Sequence, residues 1–331
     1  MTNTTDSVRP ADSTRPDLLD DLPPVQPPSA GFIIQLFVVP GLIVLAVVAV
    51  WALFGRIAAG EQDWHALVEE LQSQNGHIRN RAMYGLAQVL DQDRRRGENW
   101  QHLTSNPEIA TALADQLTRE LKTNSTSKES IGIQQYLTRA VGLLDSPQVT
   151  MPPLRMSLAA TRDIEIRKSG VASIAMIAGR SFEKGTPLDD PETVTALTEL
   201  SADSQPLMRQ TAAFALGLFK SEAADQQLHA LLGNEDWKTC VNAAIALSRH
   251  GSMDGLSIFK RALTDRPPTK PEEQAEYFMI LTNSLKAIAS LGSKMSEADK
   301  ADLRTVLRPL VTDHAEVRIR VDAQNALQAL R

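Results

Sequence analysis

Histidine is the residue type in this sequence most suited to metal binding, but the spacing of the histidines does not favour a metal site. They are His65, His77, His102, His229, His250 and His314. No two of them lie three to five residues apart, and the sequence has no HExxH or CxxC motif. A zinc site would have to combine distant segments, whereas surface and helix-cap positions explain each histidine singly. We therefore expect no metal and no cofactor.

Other catalytic patterns are also missing from the sequence. It has no GxGxxG, no GxxxxGK[ST] and no GxSxG. The acidic pairs Glu69-Glu70 and Glu272-Glu273 fall in helical patterns, where adjacent side chains point apart and face solvent. The single cysteine, Cys240, is interpreted as a small packed helix residue, with a reactive thiol as the alternative. The sequence predicts no enzyme and no small-molecule substrate.

Arginine recurs at one position of an internal repeat. The clearest copy starts at Met208, with Arg209 second and small residues at the fifth and eighth positions. Further copies start at Ile78, Ile166 and Ile319, and weaker ones at Ile133, Thr239 and Ile280. The arginines are Arg79, Arg167, Arg209 and Arg320, and the weaker copies have Gln134, Cys240 and Leu281 instead. Such arginines either bond turn residues and helix-end carbonyls or form a basic ladder for a partner.

The repeat predicts stacked helix pairs. Its first, fifth, eighth, ninth and twelfth residues form one apolar stripe at helical spacing, and its small residues allow neighbouring helices to approach closely. A partner helix precedes most copies, as at Pro107 and Pro191, where proline followed by glutamate marks a helix start. One pair cannot bury its stripe alone, so pairs stack.

This pattern resembles the HEAT repeat, in particular the short lyase-like type, over about residues 63–331. The resemblance implies an all-α fold, an α-solenoid of about six to seven HEAT-like helix pairs occupying residues 55–331. Solenoids of this kind are generic binding surfaces. Some relatives of this type attach chromophores to proteins or act on damaged DNA, but no catalytic residue of theirs can be matched here.

The N-terminal part has a different character. Residues 1–31 are rich in Pro, Asp and Thr, which predicts a disordered tail, with a docking peptide as the alternative. Residues 32–54 carry no charge and are long enough for a transmembrane helix. Phe32, Trp51 and Phe54 lie near its ends, and Pro40 with Gly41 predicts a kink. A cleaved signal peptide and a buried helix are weaker interpretations.

The charge pattern bears on localisation and partners. The apolar run predicts a single-pass membrane protein, and Arg56 just after it favours a cytoplasmic repeat domain. The basic run Arg94–Arg96 is either a solvated loop or a contact for anionic lipid headgroups. The net charge of −6 argues against nucleic acid as a partner.

Taken together, these features predict a membrane-tethered scaffold that binds an unidentified protein. Trp100 and Trp237 are candidate partner contacts, because tryptophan is enriched at interface hot spots, although both could instead pack between repeats. An enzyme, or a subunit of a chromophore-lyase-like enzyme, is the first alternative. A purely structural, self-associating membrane protein is the second, although the run lacks the GxxxG motif of helix dimers.

Overall fold

The structure of the protein is a computed structural model that describes residues 30–58, 63–95 and 101–331. Every regular element in these ranges is helical. The chain divides into two compact units, Met1–Glu61 and Gln62–Arg331. The predicted tail, residues 1–31, lies outside the described residues except for its last two, which begin the first helix.

The first unit contains one helix, α1, at Ala30–Ala58. It extends beyond the predicted span of residues 32–54 at both ends and includes Pro40. The described apolar side chains of residues 38–51 are all exposed, Trp51 among them. The side chains of Phe32 and Phe54 lie outside the description.

Among the described residues, no helix has both the length and the apolar character needed to cross a membrane.

In the described residues of the second unit, the helices form an array of seven pairs. Their first helices form the A layer: α2 (Trp64–Glu70), α4 (Pro107–Lys122), α6 (Pro147–Ser157), α8 (Pro191–Leu200), α10 (Glu222–Leu231), α12 (Leu256–Thr264) and α14 (Glu297–Asp313). Their second helices form the B layer: α3 (Gly76–Arg95), α5 (Lys128–Val141), α7 (Ile164–Glu183), α9 (Pro206–Leu216), α11 (Trp237–His250), α13 (Pro271–Leu291) and α15 (Val317–Ala329). Each B-layer helix packs against the next one along the array. The predicted all-α solenoid of helix pairs is confirmed for this part of the chain.

All seven copies of the repeat lie in B-layer helices, including the three weaker ones. The apolar stripe is buried as predicted. In the copy starting at Met208 its members Met208, Ala212, Ala215, Leu216 and Phe219 are fully buried. The stripe thus forms the inner surface on which each pair closes against its neighbours.

Small residues bring the B-layer helices together: the predicted small residue at the eighth position of one copy lies against a glycine at the tenth position of the preceding copy, which was not predicted. A Cβ atom on Gly217 would lie 2.4 Å from the Cβ atom of Ala246. Ala246 is the eighth residue of the next copy. Likewise, a Cβ atom on Gly142 would lie 2.5 Å from the Oγ of Ser173. Contacts this close leave no room for a side chain on either glycine.

Turn residues define where the helices start. Proline is the first residue of five of the described helices, including the predicted starts at Pro107 and Pro191. Asp163 caps α7 by accepting a hydrogen bond of 2.8 Å from the Glu165 amide. These signals fix the spacing between successive pairs, and so the positions of the side chains that the B layer presents.

Candidate functional site

The repeat arginines hold the turn within each helix pair. Each is the fourth residue of its B-layer helix. The Nη1 of Arg79 donates to the carbonyl of Ser73 (2.9 Å), that of Arg209 to Asp203 (2.9 Å), and that of Arg320 to His314 (2.6 Å). The acceptor lies six residues before the donor in all three. These contacts favour the turn-holding interpretation, and a role of the arginines in partner binding stays a prediction.

Arg167 makes a different set of contacts, which reach the next pair. Its Nε donates to the Leu158 carbonyl at 3.2 Å, and its Nη2 pairs with the carboxylate of Asp203 in the turn before α9. The Arg167 side chain is buried and that of Asp203 is largely covered, with 8% and 11% of their surfaces exposed. This pair therefore ties the third and fourth helix pairs together.

The environment of Asp203 favours its ionised form. Burial is the largest single effect and would raise the pKa, but hydrogen bonds from Arg167 and the Gln205 amide act against it. The positive charges of Arg167 and Arg209 add to these bonds, and the net result is a pKa below the ordinary value of 3.8. Asp203 thus remains a carboxylate, as the ion pair requires.

Cys240 occupies the arginine position in α11. Its Sγ donates to the Asn234 carbonyl at 3.0 Å, again six residues earlier. The thiol is buried, and burial raises its pKa, which lowers the fraction of reactive thiolate. These contacts suit the packed interpretation better than the reactive one.

The two predicted tryptophan contacts fall in different places. Trp237 is the first residue of α11 and is half-buried, with the guanidinium carbon of Arg261 4.0 Å from its ring centroid. It packs against the buried cluster of the C-terminal pairs. Trp100 lies outside the described residues.

His250 and Asp225 form the pair that most resembles a catalytic dyad. The histidine Nδ1 contacts the Asp225 carboxylate, but its Nε2 faces the Gly217 carbonyl at 3.2 Å. Because both ring nitrogens are engaged, neither is free to accept a proton from a substrate. In the described residues, no three His, Cys, Asp or Glu side chains converge on a metal position. The expected absence of a metal remains a prediction.

A groove lies on the B layer of the second unit. It has a volume of about 800 Å³ and is bounded by α7, α9 and α11, with Arg94 of α3 at its edge. Its floor is mostly apolar. Two of its side chains, Met176 and Phe214, are 40% and 41% exposed. We call this the B-layer groove, and its apolar members are Val171, Ala172, Ala175, Met176, Phe182, Phe214 and Leu218.

Charged side chains surround this apolar floor. The groove is lined by Arg94, Lys168, Arg180 and Arg249, with Glu183 as the acidic residue among them. Lys168 pairs with Glu165 at 2.8 Å, and Arg180 pairs with Asp145 at 2.5 Å. The lining of the groove therefore combines apolar side chains with four basic side chains and one acidic side chain.

Sequence reasoning missed the residues of this groove except Arg94, which it considered only as a loop residue or a lipid contact. The four repeat arginines are not among its lining residues in the described structure. A usable signal was nevertheless present: Tyr84 and Phe214 are the seventh residues of their copies, outside the buried stripe, and both are exposed. When large apolar side chains on the outward side of a repeat form a contiguous exposed patch, the patch indicates a binding surface.

Comparison with known proteins agrees with the helical repeat. Residues 194–277, from α8 into α13, match the family model described as HEAT repeats. None of the curated proteins matches this sequence.

Several solved structures are similar to the chain at low identity. Human deoxyhypusine hydroxylase is 18% identical, covering 82% of this chain and 96% of its own, with a TM-score of 0.31. The CpcE–CpcF complex of phycocyanin lyase from a Nostoc species is 14% identical, with 82% and 95% covered and a TM-score of 0.42. A designed armadillo repeat protein is 18% identical, with 74% and 100% covered and a TM-score of 0.36.

Proposed function

We propose that this chain is a non-catalytic scaffold that binds a partner protein through the B layer of its repeat unit. The observation that carries the proposal is the B-layer groove, where Met176 and Phe214 expose apolar surface on packed helices. Exposed apolar surface of this kind is typical of protein-binding sites. A preformed helical surface also loses little conformational entropy when it binds.

The proposal assigns no catalytic step to the chain. The His250–Asp225 pair has no free ring nitrogen, and the pKa of the Cys240 thiol is raised. Both features suit packing better than chemistry. A scaffold needs neither a metal nor a cofactor, and we propose neither for this chain.

We further propose that residues 32–54 tether the scaffold to a membrane, with the repeat unit on the cytoplasmic side. This part rests on the sequence: the run is uncharged, and Arg56 follows it directly. Residues 32–37 and 52–54 of the run have side chains outside the described part of the chain. A tether would raise the local concentration of the scaffold near membrane-bound partners.

Crosslinking and affinity capture from native membranes test the proposal. The baits are the full chain, the full chain with Phe214→Asp in the groove, and the full chain with Val321→Asp. Val321 is exposed on α15, outside the groove, and serves as the matched control. We expect one partner to be captured saturably by the wild-type and Val321→Asp baits and to be lost with Phe214→Asp, because a carboxylate on the apolar floor blocks packing.

Two results would contradict the proposal. Equal capture by all three baits would exclude the groove as the recognition site, and no capture above background would argue against a scaffold. The tether is checked on the same membranes: the full chain should resist an alkaline carbonate wash, whereas a chain lacking residues 32–54 should be released. Release of both would remove the tether and leave the scaffold proposal standing.

A further inference from the structure

Arg249 is the unusual residue of the B-layer groove. It lies in the last turn of α11, and its guanidinium carbon is 4.8 Å from the ring centroid of Phe214. Its Nη1 is buried without a hydrogen-bond partner among the described residues. Burial lowers the pKa of Arg249, although an arginine side chain remains protonated at neutral pH. The guanidinium is thus partly desolvated, and the Phe214 ring is the compensating contact that the described residues provide.

The other charges of the groove do not satisfy this guanidinium. Lys168 and Arg180 have carboxylate partners of their own, Glu165 and Asp145. Glu183, the acidic lining residue, is exposed and has no ion pair to Arg249 within the described structure. Leaving a buried donor unpaired costs free energy that a ligand can recover by supplying an acceptor.

We propose that the B-layer groove recognises a peptide segment of the partner in which an acidic side chain lies beside a large apolar one. The carboxylate pairs with the Arg249 guanidinium, and the apolar side chain packs on Met176 and Phe214. This inference rests on the scaffold proposal and specifies the chemistry of its partner.

Charge complementarity and shape favour a peptide over other anions. Of the four cationic side chains that line the groove, Lys168 and Arg180 already have carboxylate partners, whereas Arg94 and Arg249 have no ion pair among the described residues. A ligand that uses this remaining positive charge and also covers the apolar lining must offer negative charge and apolar surface together. A free phosphate would leave the apolar floor uncovered. A peptide segment carries both a carboxylate and a large apolar side chain, and so can occupy the two parts of the lining at once.

Binding of short fluorescein-labelled peptides to the full chain in detergent, followed by anisotropy, tests this inference. One peptide set carries Asp or Glu among Leu and Phe, and the matched set carries Asn or Gln instead. The protein variants are Arg249→Gln, Glu183→Gln and the control Arg308→Gln. Arg308 is exposed on α14 outside the groove, so its variant makes the same charge change elsewhere.

We expect the acidic set to bind at least about tenfold more tightly than the amide set, because ionised hydrogen bonds are the stronger ones. Arg249→Gln should abolish that preference, Glu183→Gln should strengthen binding of the acidic set, and Arg308→Gln should change neither. Arg249→Gln should also leave the melting temperature unchanged or raised, since it removes an unpaired buried charge. That result separates loss of recognition from loss of folding.

Three outcomes would overturn the inference. The first is an acidic preference that survives Arg249→Gln, and the second is a lack of binding by either peptide set. The third is binding only to phosphatidylserine vesicles, which would assign the basic wall to lipid. This inference can fail while the scaffold proposal stands: if capture depends on Phe214 but is unaffected by Arg249→Gln, the groove binds a partner whose recognition does not use an acidic side chain.

Discussion

At the arginine position of the repeat, the shared feature is a hydrogen bond to a turn carbonyl, not a positive charge. Arg79, Arg209 and Arg320 donate to the carbonyl six residues earlier, and Cys240 does so in α11 with a neutral thiol. In these four copies the position supplies a donor to a turn carbonyl left without a helical partner. The copy in α13 has Leu281 there, which cannot donate, so this contact is a feature of most copies and not of all. The one repeat arginine with a buried ion pair, Arg167, uses its extra donors to reach the next helix pair.

At this scale we predict that Asp203→Asn destabilises the repeat unit at neutral pH by about 3 kcal/mol, because it leaves the buried Arg167 guanidinium without a counter-ion. The pKa of Asp203 is lower in the folded state than in the unfolded state. The ion pair therefore contributes its full stability at pH values above the unfolded-state pKa, and this contribution is lost as the pH falls through the folded-state pKa. The difference between wild type and variant should therefore shrink below a pH of about 3.8.

Urea unfolding of the full chain between neutral pH and pH 3.5, followed by circular dichroism, measures this effect. Asp189→Asn removes the same charge from an exposed position in the connection before α8 and should have little effect at any pH. A difference between wild type and Asp203→Asn that stays constant down to the lowest pH would mean that the ion pair is not its source.

At the scale of the helices, the sequence predicted helix starts best where the repeat begins close to the helix N-terminus. In five copies the repeat starts at the third residue of its B-layer helix, just after the turn. The copies at Ile133 and Ile280 lie deeper in α5 and α13, because these helices begin further ahead of the buried stripe. The stripe is set by packing, whereas the helix start is set by Ser127 as a cap and by Pro271.

The B-layer groove could not be predicted in the same way. Arg249 is one of several basic residues at helix ends, and nothing in its local sequence indicates that its neighbours leave it unpaired. Its position over Phe214 depends on how α9 and α11 pack, which brings together residues from two successive pairs. Periodicity finds the faces of a helix, but the chemistry of a groove depends on the faces of several helices together.

Close packing between helices gives the second prediction. Gly217→Ala should lower the free energy of unfolding by about 1–3 kcal/mol, because the new Cβ would lie 2.4 Å from the Ala246 Cβ and 2.8 Å from its Cα. Gly132→Ala is the matched control: Gly132 is exposed inside α5, and no atom lies within 4 Å of its added Cβ. That change should stabilise the fold by about 0.8 kcal/mol through helix propensity.

Both variants are compared by urea unfolding of the full chain. Both variants replace glycine by alanine, so the test is whether the free energy of unfolding falls for Gly217→Ala and rises for Gly132→Ala. If Gly217→Ala were as stable as wild type, α9 and α11 would have to separate without cost, contrary to the close packing of the B layer.

At the scale of the whole repeat unit, buried side chains form two clusters. One extends from Leu71 to Leu247 and the other from Cys240 to Leu330, and the two meet in α11. In a stacked array each pair contacts mainly its neighbours, so stability is close to a sum of local and nearest-neighbour terms. The two clusters therefore need not unfold together, and a disturbance in one need not reach the far end of the other.

Native-state hydrogen exchange on the full chain tests this independence with two matched core substitutions. Leu285→Ala in α13 and Leu137→Ala in α5 each truncate a fully buried leucine, at an expected cost of about 2–5 kcal/mol. We expect Leu285→Ala to speed exchange in α13–α15 while leaving α4–α6 protected, and Leu137→Ala to do the reverse. If either substitution sped exchange equally in both regions, the seven pairs would form one cooperative unit.

The same measurement can be made with a peptide bound in the B-layer groove. The bound peptide should slow exchange most in α7, α9 and α11, because these helices line the groove.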